Sequence, residues 1–174
     1  MNKLLQSLNR RVFFKLAQWW LSIRHMKVGT MGKIMLTNIL TIGKDPFTLA
    51  IYEQHLRNAG YVNIVLITEN DTCLQYLDIK PCVILIEVEM LAFYGAELLQ
   101  SIKTKSPDTY IVIISSKTNL SKAEDLLDFG VFDIVVKGQY MATSIVEVLE
   151  NIRLMKVLLQ KVPGGKQSYI PKFL

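Results

Sequence analysis

Short apolar runs alternate with longer amphipathic stretches from residue 36 onward. The runs over 39–42, 62–67, 82–87, 110–114 and 132–136 predict five strands. Their near-continuous apolar character suits strands covered on both faces, the kind found inside parallel sheets. The stretches between them predict a helix ending near residue 58, short helices over 70–78, 96–103 and 121–129, and a long last helix over 141–161. Asp45-Pro46 supplies an N-cap and a proline at the first helical position. Gly60 suits the left-handed cap that ends this helix, and Pro163-Gly164-Gly165 stops the last one. Connections this short demand right-handed crossovers. The pattern therefore predicts an α/β fold, a doubly wound (βα)5 three-layer sandwich on a five-stranded parallel sheet. It divides the chain into an arm over 1–35, a domain over 36–161 and a tail over 162–174.

The composition, 51% hydrophobic and 20% charged over 174 residues, excludes disorder as the main state and allows one ordinary core. Charge changes the picture more. Residues 1–33 hold seven basic side chains and no acid, so the arm carries +7 of a net +5, and the other 141 residues sum to −2. A nucleic-acid-binding body is not expected. No window reaches the length of a membrane-spanning helix, and Lys15 and Gln18 break the apolar run that a secretory signal would need. Cys73 and Cys82 lack metal-ligand spacing, and both read as reduced thiols buried like small hydrophobes. The expected location is the cytoplasm.

The arm reads as an amphipathic helix over 3–27. Leu5, Leu8, Val12, Leu16, Trp19, Trp20, Ile23 and Met26 share one arc, with Lys3, Arg10, Arg11 and Lys15 opposite. An anionic membrane surface, a groove on a protein partner and the arm's own domain all stay open as its seat. On the last helix Ile145, Val148, Leu149, Ile152 and Met155 make a core stripe. Leu154, Val157, Leu158 and Leu159 then spread apolar surface around the final turns, which marks an interface with a protein partner or a second copy.

Candidate chemistry centres on Val83-Ile84-Leu85-Ile86-Glu87. In parallel sheets ligands gather beyond the carboxyl ends of the strands, so Glu87 sits where an acid would act. Glu89 reads as a solvated loop acid and His55 as a surface histidine.

The third strand with Gly95 downstream, the fourth strand ending in Ser115-Ser116, and Asp133-Ile134-Val135-Val136-Lys137 follow a familiar order. In these features, and in the turn Leu127-Asp128-Phe129-Gly130-Val131, the chain resembles the receiver domain of bacterial response regulators over roughly 37–155. The resemblance implies a flavodoxin-like fold. In that family two acids after strand one bind magnesium, and an aspartate ending strand three takes a phosphoryl group. A hydroxyl after strand four and a lysine after strand five contact that group. Here the acid pair maps onto Gly43 and Lys44, and the acceptor onto Glu87. The hydroxyl survives as Ser115 and the lysine as Lys137, while Ile134 stands where a rotating aromatic is frequent.

The resemblance therefore implies a degenerate receiver, a pseudo-receiver with neither metal, cofactor nor enzymatic activity. It would work as a phosphorylation-independent docking or scaffolding module. Two arrangements of the site stay open. Lys44 and Lys137 could both clasp Glu87, with Ser115 donating a hydrogen bond, or Lys44 could point into solvent and leave Glu87 to Lys137. A metal-dependent phosphoacceptor, and a nucleic-acid or membrane-surface binder using the arm, are the competing functions. No effector domain follows in this sequence, so direct transcriptional control is not expected.

Overall fold

The computed structural model describes residues 38–68, 73–92 and 95–161, with side chains to Leu158. Arg10, Arg11, Trp19 and Trp20 of the arm, the Leu159 side chain and the tail lie outside the described residues.

The strands are β1 (Ile39–Ile42), β2 (Ile64–Ile67), β3 (Val83–Glu87), β4 (Tyr110–Ser115) and β5 (Val131–Val136). They form one parallel sheet in the order β2-β1-β3-β4-β5. The helices are α1 (Pro46–Asn58), α2 (Gly95–Lys105), α3 (Leu120–Glu124) and α4 (Met141–Lys161). Alternate strand residues feed two separate cores. Ile39, Val83, Leu85, Val112 and Ile114 pack with Leu49, Tyr52 and Leu56 of α1 and with Ile145, Leu149 and Ile152 of α4. Leu40, Ile42, Ile84, Ile86, Ile111 and Ile113 pack with Leu99 and Ile102 of α2 and Ala123 of α3. This is the doubly wound three-layer sandwich that the apolar runs predict.

Local chemistry sets the ends of the elements. The Asp45 side chain accepts hydrogen bonds from the Thr48 hydroxyl and from the Thr48 and Phe47 amides at the start of α1, and these hold its carboxyl below the usual carboxylate range. Gly60 takes the left-handed conformation just beyond the helix. Lys80 is also left-handed, which the sequence does not announce.

Three expectations change. The helix over 121–129 splits into α3 and a 3-10 turn at Leu127–Phe129. Leu126 and Phe129, three residues apart, both pack on the second core. Of the helix over 70–78 the described part is a 3-10 turn at Gln75–Ile79. Met155, assigned to the core stripe of the last helix, is 38% exposed. The 21 residues of α4 span about 30 Å, whereas strands of four to six residues rise roughly 13–20 Å. The helix is therefore longer than the strands it packs on, and Met155 lies beyond Ile152, the last residue that α4 buries in the first core.

Leu85 is fully buried in the central strand. Leu85→Ala is expected to lower stability by about 2–5 kcal/mol, measured by urea unfolding.

Candidate functional site

Glu87 closes β3 at the carboxyl edge of the sheet, and its side chain is only 4% exposed. Its pleat side is that of Val83 and Leu85, which turns the carboxylate toward α1. Every partner it has comes from a neighbouring element. The Tyr52 hydroxyl, buried on α1, donates to Glu87 Oε1 at 2.9 Å. Lys137 Nζ, one residue past β5, stands 2.8 Å from the same oxygen. The Lys44 backbone amide donates to Glu87 Oε2 at 3.2 Å.

Gly43 explains how this fits. A Cβ at Gly43 would lie 2.7 Å from Glu87 Oε2 and 2.9 Å from the Leu49 side chain. The extra methylene of glutamate thus carries its carboxylate into the space that a side chain at position 43 would fill. Gly43 and Glu87 are sterically one choice.

Of the two arrangements open on the sequence, the structure has the second. The Lys44 side chain is exposed and is in no ion pair with Glu87. An exposed ammonium keeps its hydration, and only the amide of Lys44 meets the carboxylate. Ser115 does not serve Glu87 either; its buried hydroxyl donates to the Ser116 carbonyl at 3.0 Å. Lys137 is tied to β4 through its own amide, which donates to the Ser115 carbonyl at 2.7 Å. Ile134 is half-buried and packs on the second core.

Two site residues escape sequence reasoning. Tyr52 falls on an apolar stripe, where its hydroxyl carries no signal. Glu89 is exposed, as expected of a solvated acid beyond the strand, and it also pairs with Lys137 Nζ at 3.3 Å and accepts from Asn119 Nδ2 at 3.3 Å. Its i+2 spacing from Glu87 was the one hint. Among the described residues no group of three or more His, Cys, Asp or Glu side chains gathers to hold a metal ion. None of their helices is long and apolar enough to cross a membrane.

The model of the response regulator receiver domain matches residues 39–150. The chain belongs to the response regulator receiver family. Solved structures agree on the fold of this receiver domain. NtrX from Brucella abortus is 20% identical with a TM-score of 0.63, over 71% of this chain and 28% of that one. A receiver domain protein from Clostridium thermocellum has the same identity and TM-score, over 71% of this chain and 99% of its own. The receiver domain of AraT from Geobacillus stearothermophilus is 14% identical with a TM-score of 0.63, over 72% and 99%. This chain thus spans about a quarter of NtrX and nearly all of the isolated receivers. No curated protein matches the sequence.

In this receiver, burial and charge set the titration of the site. Burial, then the Glu87 charge and hydrogen bond, hold the Tyr52 hydroxyl well above the usual tyrosine range. For Lys137 burial pulls downward, but hydrogen bonds and charge from Glu87 and Glu89 outweigh it and raise the ammonium above its ordinary value.

Gly43→Ala is expected to lower stability by about 1–3 kcal/mol, because a packed carboxylate must move. Glu87→Asp in the same chain should recover part of that loss. Urea unfolding of both singles and the double checks the coupling, and additive effects would sever it. Tyr52 and Lys137 both bind their protons more tightly folded than unfolded. Their contribution is complete below about pH 10 and is lost as pH rises past it. The melting temperature is expected to fall through that range, less steeply in Glu87→Gln.

Proposed function

We propose that this receiver domain is a phosphorylation-independent interaction module, a pseudo-receiver, in a bacterial-type signalling assembly. The observation that carries this reading is the state of Glu87, whose oxygens are committed to Lys137, Tyr52 and the Lys44 amide. Phosphoryl transfer in this family needs a carboxylate free to attack and a hard cation to neutralise the phosphoryl oxygens. Position 43 offers no ligand, and Glu87 already fills the room beside it. The cation that could otherwise sit by the carboxylate is replaced by the Lys137 ammonium. These residues do not fit a divalent ion.

With the reaction centre silent, the surfaces remain to carry a signal. The end of α4 is the favoured one: Leu154 and Val157 are half-buried and Leu158 is 41% exposed. A protein partner, or a second copy of the chain, would dock there. The arm, with Arg10, Arg11, Trp19 and Trp20, would recruit the domain to a protein or to an anionic membrane surface in the cytoplasm. With a body near charge neutrality, nucleic acid is not a proposed partner.

Incubation of the full chain with magnesium and acetyl phosphate, followed by intact-mass measurement, tests the reading. An unchanged mass is expected. A gain of one phosphoryl group would replace this function with that of a phosphoacceptor.

A further inference from the structure

At the opposite edge of the sheet a thiol and an amine meet. Cys82 stands one residue before β3, half-buried against the first core beside Tyr110. Lys156, near the end of α4, brings its Nζ to 2.7 Å from Cys82 Sγ. That is the short end of the range for nitrogen–oxygen hydrogen bonds, about 2.7–3.2 Å. Sulfur is a larger atom than oxygen, so an ordinary contact between an ammonium and a thiol is longer. The separation is too short for two atoms merely touching and too long for a direct nitrogen–sulfur bond. It suits one oxygen atom bonded to both.

We propose that Cys82 and Lys156 form a redox modification site, joined under oxidising conditions by an N–O–S bridge. Dioxygen is the oxidant. Counted from the neutral thiol and amine, the S–H bond and one N–H bond break, and the O–O bond is cleaved. S–O and N–O bonds form, and the second oxygen leaves as water with the two hydrogens. Dioxygen accepts four electrons, two from sulfur and two from nitrogen, so the step balances. Two equivalents of a dithiol, each giving two electrons and two protons, reverse it to free thiol, free amine and water.

Position gives the bridge a consequence. It would tie the end of α4 to the start of β3, just before the exposed Leu158. Cys73 is the internal contrast. It is fully buried, and burial pushes its thiol up to about 11, so it is held inert.

The test uses the full chain held in air-saturated buffer, then intact mass and peptide mapping without reductant. The expected species is heavier by one oxygen and lighter by two hydrogens, with the Cys82 and Lys156 peptides joined. It should revert with excess dithiothreitol and be absent from Cys82→Ser and from Lys156→Arg, whose melting curves confirm folding. An unchanged mass overturns the proposal. So does oxygen found on Cys82 alone, or the same product in Lys156→Arg.

Discussion

A carboxylate buried at the end of the central strand is the constraint around which this domain is arranged. Taking that charge out of water is expensive unless other charge and hydrogen bonds replace its hydration. Glu87 draws those replacements from three places: the loop after β1, helix α1 and the end of β5. One side chain thus ties together elements far apart in sequence. The exposed pair Arg57–Glu53 is different in kind. Its side chains are 51% and 27% exposed, and such pairs contribute at most about 1 kcal/mol. Stripping a partner from a buried charge costs about 3–5 kcal/mol, so Glu87 outranks the surface pair.

The same constraint accounts for two residues that look unrelated along the chain. Glutamate at 87 reaches one methylene further than aspartate would, and glycine at 43 leaves its position without a side chain. In space they are complementary, because the longer carboxylate occupies the space that a side chain at 43 would fill. Tyr52 completes the fit from α1 with a hydrogen bond to Oε1, the oxygen that Lys137 also meets. The carboxylate is thereby satisfied by groups of the chain itself.

Much of the fold was legible because each level of the sequence agreed with the next. The five apolar runs were too continuous for one-sided strands, and Asp45-Pro46 fixed the start of α1. What stayed hidden was short-range or three-dimensional. Lys80 adopts a left-handed backbone with no glycine to announce it. The break after α3 leaves Leu126 and Phe129 on one core face, as a continuous helix would, so periodicity alone cannot reveal it. At the site, the end of the third strand pointed to Glu87, and the resemblance added Lys137 and Ser115, of which Lys137 meets the carboxylate and Ser115 bonds the Ser116 carbonyl instead. Whether Lys44 joins Lys137 on Glu87 was not legible, because it turns on whether a second long side chain gives up its hydration. Tyr52 was hidden for a related reason: on an apolar stripe its ring satisfies the pattern and its hydroxyl leaves no trace.

Helix α4 shows where core packing stops governing the structure. Through Ile152 it is held by apolar contacts with the sheet. Arg153 is then buried on a polar network, donating to Glu150 at 2.8 Å while the Tyr61 hydroxyl reaches the other oxygen of that carboxylate. Beyond it Lys156 meets Cys82 rather than an acid. The final turns therefore depend on a few polar contacts and on whatever covers Leu158. Contacts of that kind are changed by a partner or a covalent tie far more easily than a packed core is. With Glu87 held by Lys137 at one edge of the sheet, the adjustable stability of this domain lies at the far end of this helix.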